Sequence, residues 1–541
     1  MTAPDIENFD VVIIGAGING AGLFRELALQ GLKVLILDKG DICCGASAAP
    51  SRLIHGGIKY LETGEFRLVA QSTFERNLLL RNAPHTVRPL LTVLPIRSWF
   101  GGIVPSVRRF FRRKAKMTDR GVLITELGLL LYDVFGSRAR AMPFHRMKIG
   151  RFFRRTWLHM APDVIAAGQY YDAAITSPER LGFECVKDGL DVSPTSAVMT
   201  YTTVEGIANG VMKLRDVLTG GERSIRAGLI VNAGGAWIDR INAAIGLPTR
   251  YIGGTKGSHL VLDHPALLRE LDGRMVYFGT PDGRICLAYP FLGHVLVGST
   301  DIPVDDPDRV SCTKEEESYM LRMLAALFPG FEIDAGQVLY RYAGVRPLPA
   351  ADVDDPGAIS RDHIVHEDRL DGLSVLSLVG GKWTTFRGLA EEVADKVLER
   401  LSRPRTATTR DRPIGGGRQY PAPSEQAAYI AALARENAVP AARAAQIFER
   451  YGTTARAILS FCAAEADAPL HAMPDFTRRE LVYLASHEQV RTLSDLLYRR
   501  TTIALSGRLS DVVAREVAQT LQETMGWSDD RRDAEWQAAL L

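Results

Sequence analysis

The sequence has few cysteines for its 541 residues, and they form no recognisable pattern. It contains no CxxC pair and no cluster of histidines beside a cysteine, so we expect no metal site. Six thiols in so long a chain do not make a disulfide framework, and a reducing compartment, the cytoplasm, is the expected location. The cysteines are Cys43, Cys44, Cys185, Cys286, Cys312 and Cys462.

An excess of either charge is also missing. The chain carries 65 Lys and Arg residues against 63 Asp and Glu residues, a formal net charge of +2, and we expect no nucleic-acid partner. Hydrophobic residues make up 46% of the chain and charged residues 24%, which is the balance of a globular protein and not of a disordered one. The length corresponds to about three or four domains.

No hydrophobic run is long enough to cross a membrane. The longest apolar stretch, residues 121–135, contains Glu126 and Asp133 and falls short of the roughly 20 residues that a spanning helix needs. The first ten residues are acidic and lack the basic and apolar regions of a secretory signal. Any membrane contact is therefore expected to be peripheral.

What the sequence does contain, close to its start, is a glycine motif between a predicted strand and a predicted helix. Residues 11–14 predict a buried parallel strand, and residues 23–31 predict an amphipathic helix. The glycines between them are Gly15, Gly17 and Gly20. In such a G-x-G-x-x-G motif the first glycine allows a tight turn, the second lets the backbone approach a pyrophosphate, and the third lets the helix pack on the strand. Asp38, at the end of the next strand, is placed to accept hydrogen bonds from ribose hydroxyls.

The residues after Asp38 favour a flavin over a nicotinamide cofactor. Residues 40–62 are rich in small residues and contain a His-Gly-Gly sequence, where a nicotinamide domain would normally continue with its next strand and helix. Glycines in residues 233–235 and 380–381, at two later strand ends, would let the backbone approach the cofactor. An NAD enzyme is the alternative, and it would carry no yellow chromophore.

The remaining patterns predict the other regions of the chain. Residues 90–160 are irregular and locally basic, whereas residues 201–232 predict a hairpin that runs into a buried strand. Residues 257–300 predict an antiparallel sheet. Residues 403–424 are rich in Pro, Gly and Arg, as in a linker, and residues 425–541 have helical periodicity almost throughout.

Eight short sequences follow one another between about residues 10 and 400. They are GAGINGAG, SRLIHGGIKYLETGEFRLV, NAGGAW, KGSH, GSTD, YAGVRPL, SRDH and GGKWTTFR. In this order they resemble the FAD-dependent glycerol-3-phosphate dehydrogenase family. The resemblance implies an α/β fold with an FAD-binding domain of the glutathione-reductase type, an antiparallel-sheet substrate domain and a helical C-terminal domain. The FAD-binding domain would take residues 8–90, 160–250 and 345–403, the substrate domain residues 91–159 and 251–344, and the C-terminal domain residues 425–541.

The resemblance also implies the reaction. Glycerol 3-phosphate would be oxidised to dihydroxyacetone phosphate, with a hydride passing from C2 to flavin N5 of bound FAD. The electrons would then pass to a quinone, or to oxygen as in the related oxidases. The enzyme would lie in the cytoplasm or on the inner face of the membrane.

The resemblance places three catalytic residues, Arg346, His55 and Lys382, at the flavin. The substrate-binding candidates are Lys59, Tyr60, His259 and Arg361. The cofactor-binding candidates are Gly15, Gly17, Ile18, Asn19, Gly20, Asp38, Lys39, Ser47, Ser51, Arg52, Leu53, His55, Ala233, Gly234, Trp237, Gly381, Lys382 and Thr384. The planar fork of an arginine such as Arg346 can hold both a hydroxyl and a phosphate oxygen. An ordinary salt bridge for Arg346 and a satisfied loop histidine for His55 are the structural alternatives.

The chain departs from the family pattern at several positions. Lys59 stands where the family carries arginine, residues 46–48 differ from the usual Thr-Ser-Ser, and residues 175–181 replace an acidic pattern. These changes leave open an enzyme for another polyol phosphate, such as a tetritol phosphate. A flavin-binding module without catalysis is a further alternative, and the retention of Arg346 and Lys382 speaks against it.

A basic segment, residues 101–121, is longer than the corresponding region of the family. Within residues 103–116 the Ile, Val and Phe side chains fall on one helical face, and six Arg and Lys residues flank it. Such a helix would suit an anionic membrane surface. A solvated loop, or a contact between the subunits of a homodimer, is the alternative.

Overall fold

The computed structural model describes residues 6–61, 64–101, 121–350 and 362–540, which form two β-sheets and a helical C-terminal region. The strands are β1 (Glu7–Ile14), β2 (Val34–Leu37), β3 (Leu53–Ile54), β4 (Val87–Ile96), β5 (Arg146–Ile149), β6 (Ala166–Ile175), β7 (Ala197–Met199), β8 (Thr202–Ala208), β9 (Val211–Asp216), β10 (Glu222–Asn232), β11 (Thr255–Leu262), β12 (Met275–Gly279), β13 (Ile285–Phe291), β14 (His294–Gly298), β15 (Ile302–Pro303), β16 (Val338–Arg346), β17 (Ile364–Leu370) and β18 (Leu373–Val379).

Helices connect and cover the strands. They are Ile18–Leu29, Phe66–Asn82, Val122–Phe135, Arg151–Arg154, Pro178–Val192, Ile238–Ala244, Pro265–Leu271, Lys314–Leu327, Phe386–Arg400, Gln426–Glu436, Ala441–Tyr451, Ala455–Ala463, Arg478–His487, Leu493–Asp495, Asp511–Met525 and Asp529–Ala539, with a π-helical turn at Leu496–Arg500.

The first sheet has a parallel core. Its strand order is β17-β18-β10-β1-β2-β7, and the β8–β9 hairpin pairs with β10. On β1, Val11 and Ile13 face the helices Ile18–Leu29 and Phe386–Arg400. The alternate residues of β1 face the hairpin, because successive side chains of a strand point to opposite faces. The predicted buried parallel strand and the predicted hairpin are both confirmed.

The second sheet is antiparallel except for one pair of strands. Its order is β15-β11-β14-β13-β12-β4-β6-β3, with β16 beside β11 and β5 beside β6. Among the described strands of this second sheet, only β12 and β4 run parallel to each other. The helices Pro265–Leu271 and Lys314–Leu327 pack on one face of this sheet. The antiparallel sheet predicted for residues 257–300 is confirmed.

Strand β6 belongs to the second sheet, because it pairs with β4 over its whole length. The predicted FAD-binding domain includes residues 160–250, so that predicted range contains strands of both sheets. Nearly every side chain of β6 is buried. A strand that is buried on both faces shows no alternation that could reveal its sheet.

Residues 90–160 are more regular than the sequence predicted. The helix Val122–Phe135 buries Leu129 and Tyr132 but exposes Leu123 and Val134. Both of its faces are apolar, so the periodicity that would have predicted a surface helix is missing. Residues 102–120, which contain the predicted amphipathic segment 103–116, lie outside the described residues. Within the described ranges no helix is both long and apolar enough to cross a membrane.

The C-terminal region is helical, as predicted, and it has a hydrophobic core of its own. The predicted linker that precedes it, residues 403–424, packs against the helices Ile18–Leu29 and Phe66–Asn82, and we call this segment the strap. Gln30 accepts a hydrogen bond from the Thr406 amide at 2.8 Å, and Asn82 donates one to the Arg410 carbonyl, also at 2.8 Å. The strap therefore has its own fixed place in the fold.

We expect the strap to resist trypsin in the native protein although it is rich in arginine. Trypsin can cleave after Arg405, Arg410 and Arg418, whereas Arg403 and Arg412 each precede a proline, which blocks cleavage. A protease needs a locally unfolded segment, and the hydrogen bonds of the strap oppose such unfolding. Limited proteolysis followed by mass spectrometry measures this, with heat-denatured protein as the control. Equal cleavage rates in the two samples would show that the strap is not packed.

Candidate active site

A cavity of about 620 Å³ lies where the carboxyl ends of β1, β2, β10 and β18 face the second sheet. Residues at these four strand ends form one side of it, and residues of β11 and β16 form the other. In parallel sheets the connecting loops leave from the carboxyl edge and make a crevice there. The topology therefore brings together segments that are far apart in the sequence.

The turn between β1 and the helix Ile18–Leu29 forms part of the wall. Gly15 has a φ of 109°, and a Cβ atom there would lie 2.6 Å from the Ala233 carbonyl oxygen. The Ile18 amide, in the first turn of the helix, donates to Ser47 Oγ at 3.0 Å. The first residues of the helix line the cavity, where the positive end of the helix dipole favours an anion such as a pyrophosphate.

Asp38 follows β2 and lies beside the same turn. Its Oδ2 accepts a hydrogen bond from the Ala16 amide at 2.7 Å, and its Oδ1 accepts one from the Gly40 amide at 2.9 Å. Burial raises the pKa of the Asp38 carboxyl, and these two amides offset part of the rise. Oδ1 also accepts a weak hydrogen bond from Cys44 Sγ, whereas Oδ2 keeps a lone pair that suits the predicted contact with ribose hydroxyls.

A carboxylate from the loop after β15 connects the second sheet to this part of the cavity. Asp308 Oδ1 accepts hydrogen bonds from Lys39 Nζ at 2.6 Å and from Trp237 Nε1 at 2.8 Å. Asp308 Oδ2 accepts one from Arg240 Nη1 at 2.5 Å. All four residues line the cavity, and we call this group the Asp308 clasp.

Two of the predicted catalytic residues, His55 and Lys382, lie close together in the cavity wall. Lys382 Nζ lies 3.9 Å from the centroid of the Tyr60 ring. The centroids of the Tyr60 and His55 rings lie 6.4 Å apart. Thr384 Oγ1 accepts a hydrogen bond from the His55 amide at 3.1 Å and donates one to the His55 carbonyl at 3.2 Å. These contacts join two segments that are more than 300 residues apart in the chain.

His55 is neutral at pH 7. Burial lowers the pKa of its imidazole below the ordinary value, and the Asp172 carboxylate opposes this shift. The cations of Lys382 and Arg76 lower the pKa further. The cavity therefore holds an imidazole that can accept a proton.

His259, on β11, is neutral as well. Burial lowers its pKa to about 3, and the Arg346 cation adds to the shift. Its Nε2 lies 2.8 Å from Ser51 Oγ, and its ring stacks on Tyr342 with centroids 4.9 Å apart. The ring is thus held in one orientation at the cavity wall.

Arg346 ends β16, and residues 299–301 provide three of its hydrogen-bond acceptors. Its Nη1 lies 3.1 Å from Asp301 Oδ1, and its Nη2 donates to Ser299 Oγ at 3.2 Å and to the Thr300 carbonyl at 3.1 Å. The guanidinium lies against Gly257 of the neighbouring strand, where any side chain would overlap it. The second sheet therefore sets both the position and the plane of this cation.

Most of the predicted cofactor residues line the cavity, but Gly20 and Arg52 do not. A side chain on Gly20 would overlap the Gly15 carbonyl, so this glycine serves the close packing of helix and strand. The side chain of Arg52 points away from the cavity. Its fully buried side chain pairs with Glu179, with 2.6 Å between Nη2 and Oε1, because a buried cation needs a counter-charge.

The predicted substrate residues have different outcomes. Tyr60 and His259 line the cavity, whereas Lys59 lies in the adjoining turn Ile58–Leu61 and does not line it. Arg361 lies outside the described residues. The roles of all these residues stay predictions.

Sequence reasoning missed the Asp308 clasp. Asp308 and Arg240 lie 68 residues apart, Asp308 in a loop and Arg240 in the helix Ile238–Ala244. An acidic loop after a predicted strand is most often solvated, so no pattern in the sequence places Asp308 near a cofactor. Only the fold brings it beside Lys39 and Trp237.

The residues of the cavity fit FAD. Two buried polar atoms on its wall, Asn19 Oδ1 and His259 Nδ1, make no hydrogen bond within the described ranges and can serve a cofactor that has both donors and acceptors. The helix N-terminus suits a pyrophosphate, and Asp38 suits a ribose. Gly381 lies against Asn19, and a side chain there would fill the space between them.

Two family models match the chain. Residues 10–396 match the FAD dependent oxidoreductase family, and residues 407–532 match the C-terminal domain of alpha-glycerophosphate oxidase. The first match takes in both sheets, and the second takes in most of the helical C-terminal region.

The chain is also similar to named proteins over nearly its full length. It is 32% identical to a glycerol-3-phosphate dehydrogenase of Synechocystis sp., over 99% of this chain and 96% of that protein. It is 29% identical to a D-erythritol 1-phosphate dehydrogenase of Brucella abortus, over 92% and 94% of the two chains. The structure of a glycerol-3-phosphate dehydrogenase from Bacillus halodurans complexed with FAD matches with a TM-score of 0.74 and 22% identity, over 98% of this chain and 94% of that one. The cofactor of the chain is FAD.

We expect Gly17→Val to weaken FAD binding strongly while the protein still folds. Gly17 has an ordinary φ of −66°, so the backbone tolerates valine, but the new Cβ would lie 3.2 Å from Ser47 Oγ at the cavity wall. The added methyl groups would then occupy the space that a pyrophosphate needs. Wild-type protein should purify yellow, and the variant should purify colourless with an unchanged circular dichroism spectrum.

Gly20→Val is the matched control for this prediction. It should unfold the protein whether or not FAD is present, because its side chain would collide with the Gly15 carbonyl. A yellow Gly17→Val protein with wild-type affinity for FAD would show that the second glycine of the motif does not face the cofactor.

Proposed function

The chain belongs to the FAD-dependent oxidoreductase family, and we propose that it oxidises glycerol 3-phosphate to dihydroxyacetone phosphate and passes the electrons to a quinone. Gly15, Gly17 and Asp38 would hold FAD, which would supply a hydride acceptor for the oxidation at C2 of the substrate. The residues of the chain have to bind the phosphate, orient C2 and remove the hydroxyl proton. The names of the relatives support a polyol phosphate as the substrate.

One observation carries the proposal. His55, Lys382 and Arg346 lie on the wall of the same cavity that holds the dinucleotide motif, although they come from three distant segments. A flavin-binding module without catalysis would not need a neutral base and two cations beside its cofactor, since placing cations in a cavity costs desolvation energy.

We assign the removal of the hydroxyl proton to His55. A general base must be unprotonated before it acts, and burial keeps the His55 imidazole neutral at pH 7. Once it has accepted a proton, the imidazolium is favoured by the nearby Asp172 carboxylate. The two hydrogen bonds with Thr384 hold the His55 backbone while this happens.

We assign the binding of the phosphate and of the C2 oxygen to Arg346 and Lys382. A phosphate dianion is held best by charge-assisted hydrogen bonds, and a guanidinium of fixed orientation can direct two of them. Residues 299–301 fix that orientation. His259 Nδ1 supplies a neutral hydrogen-bonding atom to the substrate or the flavin.

A second substrate is supported by one relative, which is named a D-erythritol 1-phosphate dehydrogenase. A tetritol phosphate is one carbon longer than glycerol 3-phosphate and has the same charged group. The departure at Lys59, which lies in the turn that carries Tyr60, is the sequence difference that favours this alternative.

We expect Arg346→Gln to slow the reduction of bound flavin by glycerol 3-phosphate about a hundredfold, since it removes a charged donor at the reacting centre. Anaerobic stopped-flow absorbance measures the rate. Arg341→Gln is the matched control, because Arg341 lies on the same strand, pairs with Glu317 and does not line the cavity. Parallel runs with D-erythritol 1-phosphate and with glycerol separate chain length from the need for phosphate.

The outcomes of these runs distinguish the two substrates. Reduction by D-erythritol 1-phosphate alone would replace the proposed substrate with the longer one. Equal rates for Arg346→Gln and Arg341→Gln would remove Arg346 from the reaction. No reduction by either phosphate would contradict polyol phosphate oxidation itself.

The proposal of a quinone acceptor rests on an exposed apolar surface. Eleven of the nineteen exposed large hydrophobic side chains in the described part of the chain lie between residues 99 and 158. Five of them share the outer side of the helix Val122–Phe135, and we call this side the apolar face. The apolar face consists of Leu123, Leu127, Leu130, Leu131 and Val134. An apolar surface of this kind marks a membrane or protein contact.

The chain segments next to the apolar face are rich in basic residues. Residues 97–101 and 121–163 contain eight Lys and Arg residues against three Asp and Glu residues, although the chain as a whole is almost neutral. Gly101 and Gly121, which flank the basic segment, are joined by a hydrogen bond of 2.9 Å next to the start of the same helix. Basic residues around an apolar surface suit the anionic inner face of a membrane.

The inner side of the same helix reaches the active site. Leu129 and Tyr132 pack with Ile58 and Tyr60, and Tyr60 lines the cavity. The membrane contact and the reaction site are thus separated by about one helix diameter, roughly 10 Å. A lipid-soluble acceptor such as a quinone could approach the flavin over this distance, whereas oxygen would need no membrane contact.

We expect the triple variant Leu127→Ser, Leu131→Ser and Val134→Ser to reduce binding to anionic lipid vesicles about tenfold, through the loss of buried apolar area. Co-sedimentation measures binding, and added salt should weaken it for the wild type. Val512→Ser is the matched control, because Val512 is 64% exposed but lies on a C-terminal helix. Unchanged vesicle binding together with a change from dimer to monomer would make the apolar face a subunit contact instead.

A further inference from the structure

The helical C-terminal region contacts the cofactor loop, which we define as residues 38–44. This loop follows β2 and carries Asp38, Lys39 and Cys44, all of which line the cavity. Residues 491–500 of the C-terminal region lie against the other side of the loop. The contact joins residues that are more than 450 positions apart in the sequence.

A buried carboxylate forms the centre of this contact. Asp41 Oδ1 accepts a hydrogen bond from Arg500 Nη2 at 2.8 Å, and Asp41 Oδ2 accepts one from Arg500 Nη1 at 2.9 Å. Arg499 Nε also donates to Asp41 Oδ2, at 2.6 Å. The side chains of Asp41 and Arg500 have no exposed surface. Three charge-assisted hydrogen bonds thus hold one carboxylate of the cofactor loop.

A second contact holds the strand segment beside the loop. The Tyr201 hydroxyl donates to Asp495 Oδ1 at 2.5 Å, and Asp495 also accepts a hydrogen bond from Arg499 at 2.6 Å. The Tyr201 amide in turn donates to the Gly40 carbonyl at 2.9 Å. The C-terminal region therefore holds the cofactor loop directly through Asp41 and indirectly through Tyr201.

Stability alone does not account for these charges. A fully buried ion pair gains little over apolar residues of the same shape, because both ions lose their hydration. What such a pair does provide is geometry, since a bidentate contact allows one orientation of the two groups. Asp41 is three residues after Asp38, so this geometry extends to the carboxylate that faces the cavity.

We propose that the C-terminal region positions the adenosine half of FAD, with Asp41 as the positioning residue. The pair of Arg499 and Arg500 holds Asp41, and this fixes the cofactor loop so that the Asp38 carboxylate faces the ribose. Asp41 acts through Asp38 and does not touch the cofactor. The inference does not depend on which substrate the enzyme oxidises or on which acceptor it uses.

A double-mutant cycle on FAD affinity tests the proposal. The dissociation constant is measured by diluting full-length holoenzyme and following the rise in free flavin fluorescence. Asp41→Asn should weaken FAD binding about tenfold, because it removes the negative charge from all three hydrogen bonds that hold the cofactor loop. Asp38→Asn should weaken it as well, and Asp38→Asn with Asp41→Asn should be no weaker than Asp38→Asn alone, within about twofold. Additive losses, or no loss from Asp38→Asn, would overturn the proposal.

Glu480→Gln is the control for a general loss of stability. Glu480 is also a buried carboxylate, and it pairs with Arg443 and Arg450 inside the C-terminal region, away from the cofactor loop. The variant should lower the melting temperature and leave FAD affinity unchanged. A loss of affinity equal to that of Asp41→Asn would mean that any damage to this region releases FAD, and would overturn the proposal.

Tyr201→Phe keeps the proposal testable if Asp41→Asn does not fold. It removes one hydroxyl and keeps the ring, so the fold should survive. We expect it to weaken FAD binding about threefold in the wild-type background and not at all beside Asp38→Asn. Unchanged affinity in the wild-type background would overturn the proposal.

Discussion

At Gly15 the backbone of the first turn runs so close to the Ala233 carbonyl that no side chain fits between them. This contact exists because β1 and β10 are parallel neighbours whose carboxyl ends finish side by side. It determines where the first helix begins and therefore where its amides point. Asp38 is set by the same arrangement, since its carboxylate is held by the amide of Ala16 in that turn. The other residues of the cavity take their positions relative to this corner, by which we mean Gly15, Ala233 and Asp38.

Charged contacts, in addition to apolar packing, join the parts of the molecule to this corner. Asp308, in the loop after β15, connects the second sheet to the first at the rim of the cavity. Asp41 connects the C-terminal region to the side of the cofactor loop that faces away from the cavity. The first contact is partly exposed and the second fully buried. Exposed pairs contribute little energy, whereas a buried pair tolerates almost no change in distance. The rim can therefore move more easily than the base of the site.

The sequence was most informative where one local pattern determines one structure. The glycine motif, the buried strand before it and Asp38 could all be predicted because each needs only a strand, a turn and a helix. The ion pair of Arg52 could not be predicted, because its partner Glu179 lies 127 residues away and a short sequence does not show which way a side chain points. The helix Val122–Phe135 could not be predicted because both of its faces are apolar. The family resemblance predicts His55 and Arg346 at the flavin, and the structure places both in the wall of one cavity, which spacing alone could not predict.

The order in which the cavity wall appears along the chain has a consequence for biosynthesis. A ribosome delivers the glycine motif first, whereas Lys382 and Thr384 of the same cavity emerge more than 350 residues later. The arginines that hold Asp41 follow after more than a hundred further residues. A nascent chain therefore carries an unfinished cofactor site until Lys382 and Thr384 have left the ribosome, and the contacts of Asp41 form later still.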